Sequence, residues 1–151
     1  MPRRVLALVP ALAVRACAGI ADVETPTTLM ADGIEARVSP AVVFLTMRIM
    51  PDASMDALFE VAVAADPRGC LRLASPDGPT AVWPRGYGYE DGSGAARILD
   101  ASGELVGRVG NVFRLPGGEV PFLHGGLGFT AADQELADAQ CPGRYWIVGI
   151  D

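Results

Sequence analysis

The sequence predicts a small all-β domain: an antiparallel, OB-like barrel of six or seven short strands, with one short helix before the last strand. Three observations predict it. Turn signatures recur along the chain at short, regular intervals, as a small barrel or sandwich requires. Ala57 to Leu73 reads as two strands joined by a tight turn. The one well-marked helix, after Thr130, leads directly into a closing strand of aromatic and β-branched residues, Arg144 to Ile150. A β-sandwich is the alternative topology.

Taken in order, residues 1–18 have the three-part layout of an export signal: Arg3 and Arg4, an apolar run from Val5 to Val14, then small residues. That run is far shorter than the roughly 20 residues that span a bilayer. Two processing routes stay open. Ala16-Cys17-Ala18 is an A-x-A cleavage site, whereas Val14-Arg15-Ala16-Cys17 resembles the lipobox at which lipoproteins are cut and acylated, here on Cys17. Arg15 departs from both patterns. An ordinary amphipathic helix, or a start codon upstream of the true protein, also fits the stretch. Residues 19–52 read as a linker, with Thr25-Pro26-Thr27-Thr28 and Asp32-Gly33 as loop signals. It carries one apolar segment, Ala41 to Met50, expected as a buried strand or short helix.

The β domain is assigned to residues 53–151. Phe59, Val61, Val63 and Ala65 fall on one side at period two. Asp66-Pro67-Arg68-Gly69 then turns the chain, with proline setting φ at the second position and glycine free to take positive φ at the last. Cys70, Leu71 and Leu73 form the return strand, with Arg72 expected to face solvent. Ser75-Pro76-Asp77-Gly78-Pro79 is a second turn, and Thr80 to Trp83 a strand that Pro84 should push to an edge. Asp100-Ala101-Ser102-Gly103 joins two strands as a hairpin, and Val112 to Leu115 is a strand expected to close at Pro116-Gly117-Gly118. Thr130 with Asp133 three residues on forms a capping box at the start of the helix, which stops at Cys141-Pro142-Gly143.

Composition narrows function. The 151 residues carry a net charge of −6, and all 12 basic residues are arginine. Nucleic-acid binding draws its affinity from phosphate neutralisation, so an acidic chain argues against DNA or RNA; removing residues 1–18 would take the charge to −9. The three cysteines make sense as a set. With Cys17 removed or lipidated, Cys70 and Cys141 remain as an even pair for a disulfide in an oxidising compartment.

Catalytic signals are weak. His124 is the only histidine, in a glycine-rich loop with no nucleophile signature beside it, and Gly92-Ser93-Gly94 lacks a strand-turn-helix context. One histidine and two paired cysteines leave too few ligands for zinc, and no cofactor is expected. Trp83, Arg85, Tyr87 and Tyr89 alternate, so an unbroken strand would present three rings and a guanidinium on one face, an arrangement that stacks sugars or other flat ligands. Core packing is the competing reading.

Gly69-Cys70-Leu71-Arg72-Leu73, Trp83-Pro84-Arg85-Gly86, Val106 to Gly110 followed by Val112 to Leu115, Gly117-Gly118-Glu119-Val120 and Cys141-Pro142-Gly143-Arg144-Tyr145-Trp146 carry a resemblance. From about residue 57 to 149 the chain is similar to a loose group of short bacterial exported proteins of unknown function. The resemblance implies that both cysteines belong to the domain's framework and brings no activity.

The expected function is a structural or protein-interaction role for an exported domain, free outside the cytoplasm or lipid-anchored at a membrane surface. Its partner would be a protein or a small neutral ligand. Ligand or glycan binding through the aromatic strand is the second reading and an uncharacterised hydrolase the third.

Overall fold

The computed structural model describes residues 25–51, 55, 57–91 and 95–149. Within them lie eleven strands, one 3-10 turn and one α-helix. The strands are β1 (Thr27–Met30), β2 (Ile34–Val38), β3 (Val43–Met47), β4 (Ala57–Ala65), β5 (Leu71–Leu73) and β6 (Thr80–Trp83), followed by β7 (Gly88–Glu90), β8 (Arg97–Leu99), β9 (Leu105–Arg108), β10 (Val112–Val120) and β11 (Tyr145–Val148). The helix α1 spans Ala131–Gln140, directly before the last strand.

Five strands close a small barrel in the order β4-β5-β6-β11-β10, because β5 pairs with both β4 and β6. That closure decides for a barrel over a sandwich. β6 makes it possible with both edges in use: β11 runs along one, while β5 at Thr80 and β3 at Val82 and Trp83 share the other. β3, β2 and β1 extend the sheet outside the ring, and β7-β8-β9 form a separate antiparallel sheet.

The barrel is mixed, not wholly antiparallel, since β6 runs parallel to both β3 and β11. Parallel neighbours need a long connection. Here those connections contain whole hairpins, so turn spacing along the sequence cannot reveal them. Of the stretch 19–52 expected as a linker, the described residues 25–51 form strands. β1 and β2 form a hairpin about Asp32-Gly33, and β3 is buried throughout. Ile34, Ala36 and Val38 alternate with Glu35 and Arg37, a period-two pattern too short to stand out beside the Thr-Pro and Asp-Gly turn signals.

The opening hairpin forms as its residues dictate. The Asp66 carboxylate accepts the amides of Arg68 and Cys70, at 2.8 and 2.9 Å, and Gly69 takes φ 86°. β10 does not close at Pro116 but runs on through it, changing partner from β4 to β11 at Gly117. Gly117 sits at φ 146°, and a Cβ there would lie 2.1 Å from the Ile147 carbonyl oxygen, so only glycine admits the crossing of the two strands.

Alternation along the strands creates two cores. Val61, Val63, Leu71, Leu73, Trp83, Leu115, Trp146 and Val148 fill the barrel, with Ile98 packed against them from the second sheet. Val82, Tyr145 and Ile147 point the other way, joining Ile34, Leu45 and Met47 beneath α1 and the loop that carries Leu123, Leu127 and Phe129. The helix is fastened by its cap. The Thr130 side chain accepts the Asp133 amide while Asp133 accepts the Thr130 amide at 2.8 Å. The other oxygen of Asp133, fully buried, accepts the amides of Gly33 and Ile34 at 2.7 and 3.1 Å.

Candidate functional site

Two features stand out: a buried cross-link between the β4–β5 hairpin and the end of α1, and a polar groove on the face of β1, β2 and β3.

The cross-link is covalent and ionic at once. Cys70 and Cys141, both fully buried, form a disulfide with the sulfur atoms 2.07 Å apart, closing a separation of 71 residues. Arg72, two residues along β5, is buried rather than turned to solvent: its Nε donates to Asp66 at 2.9 Å and its Nη2 to the Pro142 carbonyl at 3.0 Å. An arginine in an apolar neighbourhood is stable only when its donors are claimed, and this one spans the hairpin turn and the turn before β11. Burial works against the charge on Asp66, but the Arg72 guanidinium and the amides of Cys70 and Arg68 outweigh it and hold the carboxyl below its usual range. Nearby, burial and the Asp138 carboxylate, which accepts the Tyr145 hydroxyl at 2.7 Å, raise the phenol of Tyr145 well above its ordinary value.

Trp83, Arg85, Tyr87 and Tyr89 do not share one strand. Pro84 ends β6, the chain turns at Arg85-Gly86, with Gly86 at φ 85°, and Tyr89 belongs to β7 in the second sheet. Trp83 has no exposed surface, stacks on Phe44 with centroids 5.7 Å apart and planes at 6°, and belongs to the barrel core. Tyr87 covers it at 6.3 Å, half-buried, and Tyr89 leans on Phe44 at 6.1 Å. Burial and the neighbouring Asp91 raise the Tyr89 phenol. Of the four, Arg85 is exposed and both tyrosines are half-buried, and Arg85 and Tyr87 share one open surface.

That surface is a groove of about 340 Å³. Met30, Glu35, Arg37, Thr46 and Arg48 form its floor and Arg85 and Tyr87 its wall. Period two explains the floor, since Met30 pairs with Glu35 and Glu35 with Thr46 across neighbouring strands. Sequence reasoning missed Glu35, Arg37 and Arg48. The signal available for Glu35 and Arg37 was their alternation with Ile34, Ala36 and Val38.

His124 precedes the 3-10 turn Gly125–Leu127, partly buried, with its ring edge-on to Phe122 at 5.6 Å. Among the described residues no group of three or more His, Cys, Asp or Glu is placed to hold a metal ion, and no helix is long and apolar enough to cross a membrane. Cys17 lies outside the described residues. No family model matches the chain, and no curated protein or solved structure matches it.

Proposed function

We propose that this chain is an exported, disulfide-braced β-barrel domain that acts by binding, in a structural or protein-interaction role outside the cytoplasm. The observation that carries the reading is the Cys70–Cys141 bond, fully buried and joining elements distant in sequence. Such bonds persist in oxidising compartments and are rare where thiols are kept reduced. The N-terminal pattern of residues 1–18 supports the same placement. A binding role is supported by the outer face of β4 and β10. There Leu58 and Val112 stand exposed on either side of the Glu60–Arg114 ion pair, whose atoms are 3.0 Å apart.

The test is a fusion of the full chain to a reporter enzyme that becomes active only outside the cytoplasm, beside the same fusion lacking residues 1–18. High activity that depends on residues 1–18 is the expected result. Equal, background activity in both would overturn export. Lipid on Cys17 would appear as added acyl mass on the processed chain.

A further inference from the structure

We propose that the groove between β2, β3 and the Arg85-Gly86 turn is a binding site for a small carboxylate carried on a ring, the chemistry shared by uronic-acid sugars and aromatic acids. Three guanidiniums, Arg37, Arg48 and Arg85, line this one groove in a chain of net charge −6, and among the described residues Glu35 is the one carboxylate lining it. Against that single carboxylate the three guanidiniums leave the groove with net positive charge, which an anionic ligand would offset.

Their hydrogen bonds leave room for one. Arg37 uses Nε on Glu35 at 2.8 Å, which keeps both terminal nitrogens for a ligand, and its side chain is half exposed. Arg48 is steadied by donating Nη1 to the Ala31 carbonyl. Arg85 is exposed and makes no hydrogen bond or ion pair with any described residue. A guanidinium fork matches a carboxylate with two parallel hydrogen bonds.

The wall accounts for the ring. Tyr87 is held in a pile of three aromatic rings, stacked on Trp83, which is stacked on Phe44. Ordering the tyrosine is therefore already accomplished when a ligand arrives, and its ring offers a flat apolar surface at small entropic cost. Met30 adds apolar contact from the floor. A volume near 340 Å³ takes one or two rings. The acidity of the whole chain disfavours polyanions, so the groove selects a small, singly or doubly charged ligand over nucleic acid.

This inference departs from the neutral ligand that net charge favours. It does not depend on export. Isothermal titration of the full oxidised chain tests it, using digalacturonate and 4-hydroxybenzoate as the two ring carboxylates, with digalactose and inorganic phosphate as comparisons. At least one carboxylate should bind with a dissociation constant below about 1 mM. Arg85→Ala should weaken that binding at least tenfold with an unchanged melting temperature, and Arg85→Lys should recover part of it. Binding of digalactose or phosphate as tight as that of the carboxylates, an unaffected Arg85→Ala, or no binding of either carboxylate would each overturn the proposal.

Discussion

Asp133 accepts the amide of Gly33 at 2.7 Å across 100 residues of chain, and with the same carboxylate it caps its own helix at Thr130. One buried side chain thus locks α1 to the β1–β2 turn, and every donor it serves would be orphaned without it. Asp133→Ala should lower stability by about 3 kcal/mol, because unpaired buried amides cost on the order of 1 to 3 kcal/mol each. Asp133→Asn keeps one accepting oxygen and should lose roughly half as much. Urea unfolding reads both. A midpoint for the alanine variant close to that of the parent would show that the strap does not hold the helix.

The Asp66–Arg72 pair makes a prediction in pH. The carboxyl of Asp66 is held below its unfolded value of 3.8, so its contribution is complete above that value and is lost as pH falls through the lower, folded value. The stability gap between the parent and Asp66→Asn should therefore be constant near neutral pH and narrow below about pH 4. A gap that stays unchanged down to about pH 2.5 would contradict the assignment. Arg72→Met leaves the Asp66 charge buried without its partner and should cost about 3 to 5 kcal/mol, most of which the double variant with Asp66→Leu should recover.

Trp83 and Tyr87 separate core from surface. Trp83→Ala removes the middle ring of the pile and should cost about 3 to 5 kcal/mol. Tyr87, half-buried above it, should cost clearly less as Tyr87→Leu. Thermal unfolding decides: a Trp83→Ala protein melting with the parent would return this tryptophan to the surface.

Glycine matters at the strand crossing and not everywhere. Gly117→Ala would set a Cβ 2.1 Å from the Ile147 carbonyl oxygen, so β10 and β11 must part and soluble yield should collapse. Gly88→Ala, with nothing within 4 Å of the added atom, should fold as the parent does. Equal yields of the two proteins would refute the close approach.

Local chemistry explains which parts of this fold were legible. The Asp66 to Gly69 turn, the Asp100 to Gly103 hairpin and the Thr130 capping box are each written in four or five adjacent residues, and each appears as read. What neighbouring residues do not encode was hidden: the parallel alignment of β6 with β3 and β11, and the capture of β1 and β2 by the sheet. Arg72 was misjudged for the same reason. Alternation placed it opposite Leu71 and Leu73, but what covers that face is Asp66 and Pro142, the latter 70 residues away. The groove was invisible because its floor comes from a stretch rich in loop signals, whereas the aromatic alternation from Trp83 to Tyr89 was broken by Pro84 and the Gly86 turn.

The central claim is that Cys70 and Cys141 are bonded in the working protein, and peptide mapping by mass spectrometry without reductant tests it most directly. Free thiols are alkylated in the intact cells that make the full chain, and the protein is then digested. The bond requires one linked peptide pair joining Cys70 to Cys141, neither alkylated. Reduction should lower stability by about 4 kcal/mol, the chain-entropy value for a loop of this length. Recovery of both cysteines in alkylated form from those cells would contradict the bond, and with it the support it lends to export.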